Sequence, residues 1–371
     1  MPGAHERALE ALKRRGRLRT LEARSGLDFA SNDYLGLATS GVLTEAAQAA
    51  LVRGVAVGAG GSRLLRGNDP EHEALESDAA EHFRAESALF FGGGFQANYA
   101  IFSTLPARGD LVVHDGLIHA SVLDGIRAGK ADHVSAPHND AAAIEAAISS
   151  WRAAGGTGKP WIAVESLYSM DGDTAPLSDL ATIADRHDAM LVIDEAHATG
   201  VLGPDGRGLA AHLEGRDNVV SLHTCGKALG ASGALVLSTR TMRDFLVNRC
   251  RPFIYATAPS PLMAAVVRES LRICRDEPQR RADLAKRVTA FGYGGGGASS
   301  HIVPVVVGGD SRATTLAAAL KARGFDVRAI RPPTVPEGTA RLRIAITLNV
   351  SEADAAALSA ALQDELGRLA A

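Results

Sequence analysis

Short apolar runs rich in β-branched and aromatic residues recur through the first three-quarters of the chain. They are SALFF (87–91), LVV (111–113), WIAVE (161–165), MLVID (190–194), VVSL (219–222) and ALVLS (234–238). Between them lie stretches with helical spacing, among them 71–84, 141–153 and 178–187. Runs that do not alternate apolar with polar read as strands buried on both faces, and their alternation with helices predicts a mostly parallel α/β sheet. Past about residue 275 the pattern changes. A helix near 280–290 ends in the run Gly294–Gly297, followed by HIVPVVVG, a helix over 311–323, the strands FDVRAI and RLRIAIT, and a last helix from 352. That order predicts a smaller α+β domain. Three regions follow: an N-terminal segment, 1–40, whose basic helix packs on the small domain; a large domain, 41–275; and the small domain, 276–371. No period of the length used by solenoids or propellers is present.

Composition narrows the class. The 371 residues include 39 Lys and Arg against 42 Asp and Glu, so 39 − 42 gives a net charge of −3, and 46% are hydrophobic. This balance fits a globular chain with a large core and lacks the basic bias of a nucleic-acid binder. No apolar run reaches the ~20 residues of a membrane helix. Cys225, Cys250 and Cys274 are too scattered for a disulfide framework or a zinc knuckle. The Arg-rich N-terminus carries Glu6, Glu10 and Glu22 and has no secretory apolar region. A cytoplasmic enzyme without a metal is expected.

Asp194–Glu195–Ala196–His197 spells DEAH, a helicase signature, but no Gly-Lys pair in the chain is followed by the Ser or Thr that a phosphate loop needs. Asp194 instead ends an apolar strand, where open α/β sheets bind ligands, and His197 lies three residues on. A carboxylate there suits a cationic ring nitrogen; it would equally cap a following helix. Lys227 sits in the glycine-lined turn HTCGKALGASGA, three residues after Thr224. Such a lysine is either plain surface or an amine held to form a Schiff base with an aldehyde cofactor. FFGGGFQANYA (90–100) leads from a strand into a helix, and its glycines either make a tight turn or let N–H groups approach a phosphate. His119 beside Ala120 and Ser121 is either a core residue or a catalyst.

Together these pieces follow the order of pyridoxal-phosphate enzymes with the aspartate-aminotransferase fold. SNDYLGLA (31–38), GSRLLRGNDPEHEALE (61–76), GGGFQAN (92–98), SMDGDTAPL (169–177), IDEAHATG (193–200) and RPPTVPEGTARLRI (331–344) resemble the α-oxoamine synthase family along essentially the whole chain. The resemblance implies a large cofactor-binding domain built on a mostly parallel sheet of the seven-stranded type between helices, with a smaller C-terminal α+β domain. It implies pyridoxal 5'-phosphate as a covalent aldimine on Lys227, and a homodimer. RPPTVPEGTARLR (331–343) is most similar to the member that condenses L-alanine with a pimeloyl thioester, on coenzyme A or an acyl carrier protein, in biotin assembly. Another α-oxoamine synthase, such as 5-aminolevulinate synthase, or a non-catalytic cofactor-binding protein are the alternatives.

By the same resemblance Lys227, Asp194 and His119 are the catalytic residues. Lys227 serves as acid and base, Asp194 pairs with the pyridine nitrogen, and His119 stacks on the ring. His197 and Ser169 bond the ring oxygen. Gly94, Phe95 and Thr224 hold the phosphate, with Thr257 reaching a neighbouring subunit's phosphate. Arg343 grips the substrate carboxylate, Thr334 and Arg19 contact the acyl donor, and Asn32 and Tyr34 line the site. Ser62 occupies the position where glycine-specific relatives carry Thr. Gly93 stands where many relatives have Ser. Strand alternation places Arg341 and Arg343 on one face.

Overall fold

The computed structural model describes residues 3–293 and 300–370; the run Gly294–Gly297, expected to end a helix, lies outside the described residues. The chain divides into two compact units, one formed by Met1–Tyr34, Met170–Gly172 and Ala282–Ala371, the other by Leu35–Ser169 and Asp173–Arg281. These bounds differ from the 40/41 and 275/276 breaks read from the sequence. They also assign residues 170–172, expected wholly within the large domain, to the smaller unit.

The smaller unit opens with α1 (Ala4–Arg14) and the short β1 (Leu27–Asp28). The N-terminal helix does not pack as expected: α1 buries none of its residues. What attaches this segment is the chain after it, where Arg17 donates to Asp310 at 2.6 Å and to both Glu337 oxygens.

The larger unit runs through α2 (Gly41–Val52), α3 (Pro70–Phe83), β2 (Ser87–Phe91), α4 (Gly94–Thr104), β3 (Leu111–Asp115), α5 (Ala120–Ala128), β4 (Asp132–Ala136), α6 (Ala141–Ala153), β5 (Pro160–Glu165), α7 (Leu177–Arg186), β6 (Met190–Asp194), β7 (Val219–Thr224), β8 (Ala234–Ser238), α8 (Arg240–Arg249), α9 (Arg251–Ile254) and α10 (Pro261–Asp276). Helix starts are set locally. Ser40, Asp140, Thr239 and Ser260 each accept a first-turn N–H, a cap worth about 1 kcal/mol. The strands form one seven-stranded sheet in the order β2-β8-β7-β6-β5-β3-β4, with only β8 antiparallel to its neighbours.

Every residue of β2, β3, β5, β6, β7 and β8 is buried, as expected for strands covered on both faces. Alternate side chains feed two cores. Val112, Met190, Val192 and Val220 pack with Ile101, Phe102 and Ile126 of α4 and α5. Leu111, Val113, Leu191, Ile193 and Val219 pack with Ile144, Ile148, Leu180 and Ile183 of α6 and α7.

The smaller unit resumes within α11 (Pro278–Phe291) and contains β9 (Ile302–Gly308), α12 (Asp310–Ala322), β10 (Phe325–Asp326), β11 (Arg328–Ile330), β12 (Ala340–Ala345) and α13 (Glu352–Ala370). Its antiparallel sheet has the order β11-β12-β9, and β1 pairs with β10 in parallel. Among the described residues no helix is long and apolar enough to cross a membrane.

Candidate active site

In the larger unit the parallel strands deliver a row of polar groups at their carboxyl ends: Asp115 on β3, Glu165 on β5, Asp194 on β6 and Thr224 on β7. Ligand sites in open α/β sheets lie there. Asp194 is buried. Its Oδ2 accepts from Asn98 Nδ2 at 2.7 Å and its Oδ1 from the Ala196 N–H at 2.9 Å. No helix follows it directly, so its role is not helix capping. Lys227 Nζ lies 2.9 Å from His197 Nε2 in a half-buried position, which excludes a plain surface lysine.

The glycine turn at the start of α4 is equally specific. A Cβ on Gly94 would stand 2.6 Å from the Thr224 methyl carbon, so the first turn of α4 presses directly on the end of β7. The leading N–H groups of α4 have no partners within the helix, as at every helix N-terminus. Thr224 Oγ1 donates to the Ala196 carbonyl at 3.2 Å. Phe95 is exposed, with its ring edge-on to His119 at 6.5 Å.

His119 is no core residue: it is exposed and caps α5. Its Nδ1 lies 2.7 Å from Ser121 Oγ and accepts from the Ser121 N–H, which leaves the ring proton on Nε2. Ser121 Oγ in turn accepts from Asn98 at 3.0 Å. A single hydrogen-bonded chain thus joins His119, Ser121, Asn98 and Asp194.

Asn98 was not singled out from the sequence. Its signal was an amide four residues after Gly94 on a helix face otherwise filled by Ala97, Ala100, Ile101 and Phe102. Glu165 was also missed, although it ends an apolar strand as Asp194 does. The two residues are direct partners across β5 and β6. Glu165 Oε2 accepts from the Ser169 N–H at 3.1 Å, and its buried Oε1 has no hydrogen-bond partner. Burial, then the charge of Asp194, pushes its carboxyl well above the usual carboxylate range, against an opposing pull from Lys227. Ser62 and Thr257 occupy neighbouring loops joined by the Ala258 N–H to the Gly61 carbonyl at 2.9 Å. The Ser62 carbonyl accepts from Leu65 and Gly67.

In the smaller unit Arg341 and Arg343 are buried on β12 rather than solvated. Arg341 pairs with Asp171 and donates to the Met170 carbonyl at 3.3 Å. Arg343 donates to the Tyr34 hydroxyl at 3.2 Å, and Tyr34 donates to Asn32 Oδ1 at 3.0 Å. Arg19 donates to Thr334 Oγ1 at 3.1 Å. The two residues expected at the acyl donor are therefore neighbours, and Arg343, expected at the carboxylate, is joined to Tyr34 and Asn32, expected to line the site.

Comparisons with known proteins follow the same lines. A profile for the family described as aminotransferase class I and II matches residues 24–362. The 8-amino-7-oxononanoate synthase of Anaeromyxobacter dehalogenans is 42% identical over 381 aligned positions, covering 96% of this chain and 94% of that one. That of Chromobacterium violaceum is 43% identical, covering 88% and 86%. Among solved structures, serine palmitoyltransferase from S. paucimobilis with a bound PLP–myriocin aldimine superposes with a TM-score of 0.88 at 25% identity, covering 98% of both chains. The 8-amino-7-oxononanoate synthase of Francisella tularensis gives a TM-score of 0.77 at 26% identity, covering 94% of this chain and 99% of that one. This chain belongs to the aminotransferase class I and II family and, within it, to the 8-amino-7-oxononanoate synthases of the α-oxoamine synthase group.

Proposed function

We propose that the protein condenses L-alanine with a pimeloyl thioester to give 8-amino-7-oxononanoate, CO2 and the free thiol, a step of biotin biosynthesis. The observation that carries this reading is the Lys227 amine at 2.9 Å from His197, beside a buried Asp194 fixed by Asn98. The residues present fit pyridoxal phosphate. Gly94 and Thr224 form a cradle that a Cβ would fill, Asp194 offers a buried carboxylate, and Lys227 offers an amine. When bound, the cofactor supplies an acceptor for the electron pair left at the amino-acid Cα.

In this reading Lys227 holds the cofactor and then moves the Cα proton of alanine. Asp194 keeps the ring nitrogen protonated, with Asn98 fixing its orientation. His197 and Ser169 bond the ring oxygen, and His119 covers the ring face. The N–H groups of Gly94 and Phe95, with the Thr224 hydroxyl, hold the phosphate at the α4 N-terminus. Arg343 binds the alanine carboxylate and so selects which Cα bond breaks, with Asn32 beside it through Tyr34. Arg19 and Thr334 bind the acyl donor. A carbon–carbon bond forms between the alanine Cα and the thioester carbonyl, the thiolate leaves, the carboxylate departs as CO2, and the electron pair it leaves at Cα takes up a proton from Lys227.

The test is mass analysis of products from L-alanine with pimeloyl-CoA and with pimeloyl acyl carrier protein, run beside glycine with succinyl-CoA. 8-Amino-7-oxononanoate is expected in one or both of the first two. Product only from the glycine reaction would assign a sister activity, and product from none would leave a binding protein. Borohydride reduction and peptide mapping should place the cofactor label on Lys227.

We further propose a homodimer in which Thr257 reaches the cofactor phosphate of a second copy. Leu65 and Tyr255, at 80% and 72% exposure, leave bare apolar surface on the Ser62 and Thr257 loops, as an interface would. Free, buried Cys225, Cys250 and Cys274 suit a reducing compartment, and we place the enzyme in the cytoplasm.

Ser62 bears on the choice of amino acid. A pocket shaped around one methyl discriminates by only ~1–3 kcal/mol, roughly 10–200-fold. Wild type should prefer L-alanine over glycine within that range, and Ser62→Thr should move the kcat/KM ratio toward glycine by crowding the methyl. An unmoved ratio would remove Ser62 from the pocket.

A further inference from the structure

Away from the Lys227 site, Arg207 of the larger unit is a buried arginine with donor groups left unpartnered among the described residues. Arg207 is only 5% exposed, yet neither its Nε nor its Nη1 has a hydrogen-bond partner. A buried guanidinium with unmet N–H groups is strongly disfavoured unless an anion completes it. The side chain lines a cleft of about 850 Å³ bounded by α2, α3, α10 and the turn at 204–207. His82 lines the same cleft, and its Nε2 is likewise buried without a partner. Burial first, then His223, Arg207 and Arg275, hold the His82 ring down to about 4 against the opposing charge of Asp205. It is neutral at physiological pH and able to donate a hydrogen bond.

The cleft's own acids do not serve as the missing counter-ion. Asp78 is engaged by Arg268 at 2.7 Å and Glu269 by Arg272 at 2.6 Å. Glu45, Glu81 and Asp205 are exposed. Arg84, which caps α3 in a left-handed conformation, adds a further cation to the lining.

The position of Arg207 is fixed in advance. Gly208 has φ +94°, and a Cβ there would stand 2.4 Å from Glu195 Oε2, so the turn is seated against that buried carboxyl. The same carboxyl accepts from Ser166 Oγ at 2.6 Å and from the Leu209 N–H at 3.1 Å. Arg207 thus lines the cleft from a turn seated against Glu195, with its Nε and Nη1 unpartnered among the described residues, and it has no part in the reaction proposed above.

We propose that Arg207, with His82 and Arg84, forms a binding site for a small oxyanion, the phosphate or carboxylate group of a metabolite. Guanidinium suits both groups because its planar donors match their oxygens. The site is separate from the phosphate cradle at Gly94 and Thr224, and the two are distinguished by working with enzyme already loaded with pyridoxal phosphate.

Calorimetric titration of that holoenzyme with inorganic phosphate, and separately with citrate, tests the assignment. One saturable site per chain is expected for at least one anion, and which of the two binds tells phosphate from carboxylate recognition. Arg207→Gln should abolish it, and Arg84→Gln should weaken it at least fivefold, with the kinetic constants for L-alanine unchanged. Absence of saturable binding to both anions overturns the proposal, as does equal binding by the Arg207→Gln protein. Loss of dimer in Arg207→Gln, without anion binding by wild type, would show that a carboxylate from a second copy fills the place, and would also overturn it. Should Arg207→Gln fail to fold, unchanged binding in both Arg84→Gln and His82→Gln decides against the site.

Discussion

Alanine in place of Lys227 should give a folded protein whose turnover of L-alanine and pimeloyl-CoA falls by at least ~10³-fold, within the range lost with a positioned acid–base group. The amine lies 2.9 Å from His197 in a turn beyond the end of β7, so its removal disturbs neither core of the sheet. The melting temperature should therefore stay within a few degrees of wild type while product formation collapses. Added ethylamine gives a sharper check, because a small free amine can restore part of a missing proton transfer but cannot repair misfolding. Turnover within tenfold of wild type would mean that another group moves the Cα proton, and the proposed mechanism would fall.

The second large effect is expected at Asp194. Asparagine preserves its shape and can still accept from the Ala196 N–H, but it removes the charge proposed to keep the ring nitrogen protonated. It also sets an amide against the Asn98 amide, where a carboxylate now accepts at 2.7 Å. We expect kcat to fall by about 10²–10³-fold, equivalent to roughly 3–4 kcal/mol, with cofactor still bound by its absorbance. Asp194→Glu keeps the charge but displaces it, and should retain more activity than the asparagine variant. If Asp194→Asn turns over within a few-fold of wild type, Asp194 only holds the turn after β6.

These two residues were legible in the sequence because each follows an apolar run that reads as a buried strand, where chemistry gathers, and because the resemblance of the surrounding motifs to the α-oxoamine synthases chose between that and a helix cap or a surface lysine. The same logic should have caught Glu165, which closes WIAVE; without an adjacent histidine or glycine it looked like the ordinary end of a strand. Asn98 could not be found this way. Its meaning depends on which face of α4 meets β6, and that is a tertiary fact. The strand β4 was missed because it lies at the sheet edge, where four of its five residues are exposed and no apolar run marks it. Residues 170–172 joined the smaller unit through the pairing of Asp171 with Arg341, a partner far along the chain that no local pattern announces. The basic helix forms as expected, but its Leu9 and Leu12 are exposed, so it buries no apolar face on the small domain.

The glycine turn before α4 also bears on how the sequence is free to drift. Gly93 and Gly94 are adjacent, yet they answer differently to an added side chain. Gly93 is extended, and a Cβ there meets nothing within 4 Å, so serine is admitted without strain. At Gly94 the same atom would strike the Thr224 methyl at 2.6 Å. Variation among relatives should therefore collect at the first position and stop at the second. Any lineage that replaced Gly94 would first have to shorten or reorient the residue at 224, which makes these two sites a coupled pair although 130 positions separate them in the sequence (224 − 94).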